Sequence, residues 1–278
     1  MISKVKSIIN KVLLGGGKKT IVKITLNTVS PNNRFVGKKV LVTGGSSGIG
    51  LEIAKEFLAE GAEVMITGRK KERLEEAKQE LNNPLLKTIE WDVADVKLLD
   101  TKFVAAVSEM GQIDIFINNA GIYEASAWNQ IKEDEFDRVN DINSKGLFFM
   151  CQQEAEYLKS NGIKGRIVNI NSIAGIKSGF DAYSVSKWGS VCITRSLAAM
   201  MAPYGIVVNG IAPGNVVTNI HDGVRGKDVM DDAYMPQHKT KRYTLVEEIA
   251  SMALYLSSDM ASNIIGQVIA IDGGWVLN

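Results

Sequence analysis

One tyrosine in this sequence has a lysine four residues on. It lies in Tyr183-Ser184-Val185-Ser186-Lys187, and none of the other members of the set of seven tyrosines has that partner. On a helix a spacing of four puts both side chains on one face. A free phenol, with a pKa of about 10, holds its proton too tightly to act as a base near neutrality. A neighbouring ammonium stabilises the phenolate and is expected to lower that value. Such a pair could exchange a proton with an alcohol or a carbonyl oxygen. Ser172 lies eleven residues upstream, after the apolar run Arg166–Ile170. Its hydroxyl could hold the reacting oxygen, although a serine after a strand also serves as a turn cap.

A second constellation could bind an anion. The run Lys39–Thr43 is apolar and leads directly into Thr43-Gly44-Gly45-Ser46-Ser47-Gly48-Ile49-Gly50, followed by a helical pattern over Ile49–Ala59. In a strand–turn–helix unit, backbone N–H groups and the helix dipole point at a phosphate, and glycine lets the ligand approach closely. The spacing Gly44, Gly48, Gly50 differs from the GxGxxG of many dinucleotide sites.

These residues must be carried by a scaffold, and the periodicity supplies one. From about residue 38 the pattern alternates between strand and helix. Strands are expected at Lys39–Thr43, Glu63–Thr67, Leu86–Trp91, Ile113–Ile117, Arg166–Ile170, Ile206–Ile211 and Gln267–Ile271. Helices are expected at Ile49–Ala59, Lys70–Leu81, Lys97–Met110, Ala182–Met201 and Leu245–Leu256, with a long helical region between Ile117 and about Ser160. Apolar strands alternating with helices imply an α/β fold, a doubly wound parallel sheet with helices on both faces.

Taken in order, the motifs resemble the classical short-chain dehydrogenase/reductase family over about residues 35–278. The glycine turn resembles its cofactor loop, with Gly44, Ser46, Ser47, Gly48, Ile49 and Gly50 as contacts. Asn118-Asn119-Ala120-Gly121 resembles its NNAG motif, with Asn119, Ala120 and Gly121 beside the cofactor. Asp92-Val93 resembles the adenine-contacting pair. Ser172, Tyr183 and Lys187 resemble the catalytic serine and YxxxK pair. Pro213-Gly214-Asn215-Val216-Val217-Thr218 resembles the PGxVxT segment beside the nicotinamide, and Asp272-Gly273-Gly274 the end of the last strand. The resemblance implies a seven-stranded Rossmann-type sheet of order 3-2-1-4-5-6-7. It implies a catalytic tetrad of Asn143, Ser172, Tyr183 and Lys187, in which Asn143 would hold a proton-relaying water; Asn140 is the alternative in a shifted register. It also implies that Lys187 contacts the nicotinamide ribose, that Tyr183 borders the cofactor, and that the protein is a homotetramer or homodimer.

The cofactor choice rests on one position. In dinucleotide folds an acid about 20 residues beyond the glycine turn bonds the ribose 2′-OH of NAD. Here Gly68 stands there and Arg69 follows. Loss of the carboxylate removes repulsion against a 2′-phosphate, and a guanidinium adds paired, charge-assisted hydrogen bonds. The expected activity is hydride transfer between NADP(H) and a carbonyl or secondary alcohol substrate. The alternatives are an NAD-dependent alcohol or sugar dehydrogenase, and a non-catalytic NADP-binding regulatory protein.

Composition narrows the class. Of 278 residues, 45% are hydrophobic and 23% charged, and the net charge is +1. That suits a globular chain with a sizeable core and is no polycation for nucleic acid. The only histidines are His221 and His238, and no CxxC or HExxH occurs, so no metal site is expected. Cys151 and Cys192 make no disulfide scaffold and fit a reducing, cytoplasmic setting. Residues 1–30 hold six lysines and no acid, so they carry +6 and the remainder −5. Residues 1–34 are read as a basic extension, able to contact an oligomer partner, to stay mobile or to lie on an anionic membrane surface. Residues 219–240 are read as the substrate lid, and Tyr123 to Trp128 with Ala174 to Asp181 as pocket walls. The basic run His238-Lys239-Thr240-Lys241-Arg242 offers attraction for an anionic substrate.

Overall fold

A computed structural model of the chain describes residues 33–124, 126–216 and 234–277. The extension up to residue 32, Thr218 and residues 219–233 of the expected lid lie outside the described residues. The seven strands are β1 (Lys39–Thr43), β2 (Glu63–Gly68), β3 (Leu86–Glu90), β4 (Ile115–Asn118), β5 (Arg166–Ile170), β6 (Val207–Pro213) and β7 (Val268–Ile271). They form one sheet in the order β3-β2-β1-β4-β5-β6-β7, and every pairing is parallel.

The alternation along each strand explains the two layers. Val40 and Val42 face one side of the sheet and Leu41 the other; Val64, Ile66 and Met65, and Ile115, Ile117 and Phe116, repeat the pattern. One face is covered by α1 (Gly48–Ala59), α2 (Lys71–Leu81) and α7 (Val246–Ser257), the other by α3 (Leu99–Met110), α5 (Leu147–Ser160) and α6 (Ala182–Met201). Burial of each such side chain stabilises the fold by about 1.5–3 kcal/mol. The core reaches back to Phe35, whose ring meets Phe57 edge-on at 4.9 Å between centroids. Beside it the Arg34 guanidinium donates to Glu60 Oε1 at 2.6 Å.

The expected long helix before Ser160 is a correction. Residues 119–124 and 126–132 run as loop and turn, α4 covers only Glu133–Asn140, and a π-helical turn spans Asp141–Gly146 before α5 begins. Three acids, Glu133, Asp134 and Glu135, open α4, where the helix dipole favours negative charge. The widened turn is the sort of local irregularity that accompanies functional sites, and it carries Asn143.

Candidate active site

The C-terminal ends of β1, β4, β5 and β6 converge on two adjoining cavities. One, of about 370 Å³, is lined by Ser172, Tyr183, Lys187, Gly214 and Trp275 among others. The other, of about 240 Å³, is lined by the glycine turn, Arg69, Asp92, Val93 and Ala120. Ile49, Asn119, Gly121 and Ile122 line both, so the two form one groove across the sheet edge.

In the larger cavity Tyr183 sits in the first turn of α6, and Lys187 follows one turn later on the same face. Asp181 caps that helix: its carboxylate accepts from the Ser184 N–H at 2.6 Å and from the Ser184 hydroxyl at 2.9 Å. Ser172 lies two residues after β5 and caps a short 3₁₀ turn, accepting from the Ala174 N–H at 3.1 Å. The cap role and the site role coexist, because the same hydroxyl lines the cavity beside the Tyr183 phenol and draws its pKa down. Lys187 is buried and its Nζ donates to the Ile170 carbonyl at 3.0 Å, 5.6 Å from the Tyr183 ring centroid. Burial pushes its ammonium down to about 8.

The expected lowering of the phenol by Lys187 is not what the site shows. Burial pushes Tyr183 above its ordinary value, the Ser172 hydrogen bond draws it partly back, and Tyr123 and Asp181 push it up again. Desolvation of a phenolate outweighs a lysine that is itself desolvated and held by a backbone carbonyl. Tyr123 meets Tyr183 edge-on at 4.9 Å between centroids, which fixes the ring.

Asn143, rather than Asn140, points inward. Asn143 is buried; its Oδ1 accepts from Ile122 N–H and its Nδ2 donates to Ile122 O, each at 2.9 Å, and to Ser186 Oγ at 3.1 Å. This amide ties the loop after β4 to α6, so in this geometry it positions Gly121 and Ile122 between the two cavities. Asn140 hydrogen-bonds back to Phe136 O within its own helix.

In the smaller cavity the turn needs its glycines. Gly44 and Gly48 have φ of +63° and +57°, a region that side chains disfavour. Gly50 lets α1 pack directly on the Asn119 amide, which in turn donates to Thr43 O at 3.1 Å and Gly44 O at 2.9 Å. Ser47 is the N-cap of α1 but makes no side-chain cap, and the first turn holds no acid. Its N–H groups thus face the groove as donors. Gly68 ends β2 against Ser46 with no carboxylate, and the exposed Arg69 makes no ion pair among the described residues. Asp92 lines the same cavity while accepting from the Ala94 N–H at 3.0 Å. Pro213, Gly214 and Val216 line the larger cavity.

Several expectations for the walls shift. Tyr123, Ala174, Lys177, Ser178, Gly179 and Asp181 line the cavity, whereas Trp128 and Phe180 stand 71% and 78% exposed outside it. The basic run also falls outside. Arg242 forms a bidentate pair with Glu248 at 2.8 and 2.6 Å, Lys241 Nζ donates to Pro236 O, and His238 is buried with its Nε2 accepting from Asn215 N–H. Among the described residues no cluster of three or more His, Cys, Asp or Glu is placed to hold a metal, and no helix is long and apolar enough to cross a membrane.

Sequence reasoning missed Trp275, which reaches the cavity because Asp272 Oδ1 and Oδ2 accept from the N–H groups of Gly274 and Val276 at 2.9 and 2.7 Å. It also missed a buried polar network behind the site. Asn118 Nδ2 donates to Glu154 Oε2 at 2.8 Å and to Asn169 Oδ1 at 3.0 Å; Asn169 Nδ2 donates to Thr194 Oγ1 at 3.0 Å; Asn171 Nδ2 reaches Ser190 Oγ at 2.5 Å. Burial pushes the Glu154 carboxyl up to about 8. The adjacent pair Asn118-Asn119 was the one visible sign of it.

Comparison with known proteins agrees with this geometry. A family described as enoyl-(acyl carrier protein) reductase matches residues 44–276. The chain is 33% identical to gluconate 5-dehydrogenase of Gluconobacter oxydans, covering 86% of this chain and 94% of that protein. It is 33% identical to a 3-oxoacyl-(acyl-carrier-protein) reductase of Chlamydia muridarum, covering 87% and 99%. The crystal structure of a short chain dehydrogenase from Bacillus anthracis superposes with a TM-score of 0.77 at 34% identity, covering 87% and 97% of the two chains. The chain belongs to the classical short-chain dehydrogenase/reductase family of oxidoreductases.

Proposed function

We propose that this protein reduces a small carbonyl compound with NADPH, or runs the reverse oxidation of a secondary alcohol, with Tyr183 as the proton donor or acceptor. The observation that carries this reading is the convergence of Ser172, Tyr183 and Lys187 at one end of a groove whose other end is the glycine turn. The groove fits a dinucleotide phosphate by its donor set: the uncapped N–H groups of α1, Ser46, Ser47 and the cation Arg69, with Gly68 in place of an acid. Asp92 and Val93 would border the adenine, Asn119, Ala120 and Gly121 the middle of the cofactor, and Pro213, Gly214, Val216 and Thr218 its nicotinamide end. A bound nicotinamide supplies or accepts the hydride.

The chain's own residues handle the rest. Ser172 donates a hydrogen bond to the reacting oxygen and sets its direction. The Tyr183 hydroxyl gives its proton to that oxygen as the carbonyl becomes an alcohol, or takes it in reverse. Lys187, pushed down to about 8 by burial, places its ammonium beside Tyr183, where it would meet the nicotinamide ribose of a bound cofactor. Asn143 positions the loop carrying Gly121. Residues 35–278 act as the catalytic domain, with residues 1–34 as a basic appendage. The free thiols Cys151 and Cys192 suit a cytoplasmic setting. The half-exposed Phe148, Phe149 and Trp188 on α5 and α6 suit a homo-oligomer. The test is a panel of carbonyl compounds assayed with NADPH and with NADH. Turnover that prefers NADPH supports the reading; absence of turnover with both cofactors across the panel overturns it.

A further inference from the structure

Among the described residues the substrate half of the groove holds three charged side chains, and two of them are committed. Lys187 is bound to the Ile170 carbonyl, and the Asp181 carboxylate is spent on the N–H and hydroxyl of Ser184. The third is Lys177. Its backbone carbonyl accepts from the Trp188 indole N–H at 3.3 Å, and its ammonium lies over the Trp275 ring, 4.8 Å from the centroid. Two tryptophans thus hold the residue at both ends. Trp275 is itself fixed by Asp272 and lies 5.8 Å from the buried ring of His238. Among the described residues the Lys177 ammonium meets no carboxylate within 4 Å. The remaining wall is largely apolar, with Ile122, Ile173, Ala174, Pro213 and Val216.

An exposed cation held over Trp275 at the cavity wall, with no counter-charge among the described residues, is arranged for an anion on the ligand. The cation–π contact limits the lysine's rotamers before binding, so less freedom is lost when the anion arrives. The basic run 238–242, which the sequence offered for this role, does not line the cavity. The geometry points to Lys177 as the residue that selects a substrate bearing a carboxylate or phosphate on the side away from its carbonyl. This rests on the carbonyl-reductase reading above and names the substrate class for that same site: a small oxo acid or oxo phosphate with a compact apolar body.

Matched pairs test it, with NADPH as the reductant. One pair is 4-oxopentanoate and its methyl ester; the other is dihydroxyacetone phosphate and dihydroxyacetone. The charged member of at least one pair should have a kcat/KM about tenfold higher, the scale of a charge-assisted contact discounted for partial exposure. Which pair shows it decides between carboxylate and phosphate. Lys177→Gln should remove that preference mainly through KM, and Lys177→Arg should restore most of it. An NADPH fluorescence titration of each variant checks that the fold is kept. Equal or better use of the neutral members by the native protein, or an unchanged preference in Lys177→Gln, overturns the proposal while leaving the reductase reading in place. Turnover of none of the four compounds by a protein that reduces other carbonyls also overturns the proposal; turnover of no carbonyl at all overturns the reductase reading with it.

Discussion

The two halves of the groove are built differently. The nucleotide half is made where strands end: the turn after β1, Gly68 and Arg69 at the end of β2, Asp92 after β3, and Asn119 to Gly121 after β4. Each contact comes from a short local segment, and most are backbone groups or glycines. The substrate half gathers Tyr123, Lys177, Asn215 and Trp275 from segments far apart in the chain. Its side chains are set by tertiary packing, such as the indole contacts of Lys177. A site that grips the invariant parts of a ligand can be local and backbone-built. A site that selects among ligands needs side chains brought from a distance.

Substitutions in each half test whether the two act separately. The largest effect should come from the reacting end. Tyr183→Phe removes the transferable proton but leaves the glycine turn intact. Turnover should fall by roughly 10²–10⁴-fold, while NADPH affinity in a fluorescence titration changes little. A parallel loss of cofactor binding would show that the two halves are not separable.

Next is the support beneath both halves. Glu154 is fully buried and pushed up to about 8 by burial, against an ordinary value of 4.5. Folding therefore takes up a proton between these values. The stability this group contributes is fully present below about pH 4.5 and is lost as pH rises through 8. Glu154→Gln removes that dependence. Relative to the native protein the variant should gain about 2–4 kcal/mol between pH 5 and pH 8, read from urea unfolding midpoints. A constant difference across that range would mean that the carboxylate is not destabilised.

A smaller effect is expected at the outer rim of the nucleotide half. Arg69→Ala should weaken NADPH binding by about tenfold and leave NADH binding nearly unchanged, because a hydrogen bond to a charged group is worth about 1.5–3 kcal/mol. Equal losses for both cofactors would place Arg69 on a phosphate common to both. The smallest effect belongs to the basic extension. The alternating strand–helix pattern starts near Lys38 and the core at Phe35. Deleting residues 1–30 should change unfolding free energy by less than about 0.5 kcal/mol and spare both halves. A truncated protein unable to bind NADPH would tie the extension to the groove.

The same contrast governs what the sequence revealed. All seven strands were legible because runs such as Val40-Leu41-Val42 and Val64-Met65-Ile66 are apolar on both faces. The lining of the smaller cavity was legible because glycine spacing and strand ends are local features. Glu154 was not, because in Glu154-Ala155-Glu156 it looks like a solvated helix residue until Asn118 and Asn169 are placed against it. The π-helical turn leaves no periodic trace, so a single long helix was expected. Lys177 was legible as part of a pocket wall but its clamp was not, since Trp188 and Trp275 are brought to it only by folding. The basic run at 238–242 misled for the opposite reason: Arg242 is spent on Glu248, Lys241 on a backbone carbonyl, and none of the run lines the cavity.

In the function proposed here one groove holds NADP(H), with its 2′-phosphate end at Gly68 and Arg69 and its nicotinamide end at Tyr183. Side-by-side fluorescence titration of the native protein with NADPH and NADH tests it most directly. NADPH should bind at least about tenfold more tightly; equal or tighter binding of NADH would contradict it.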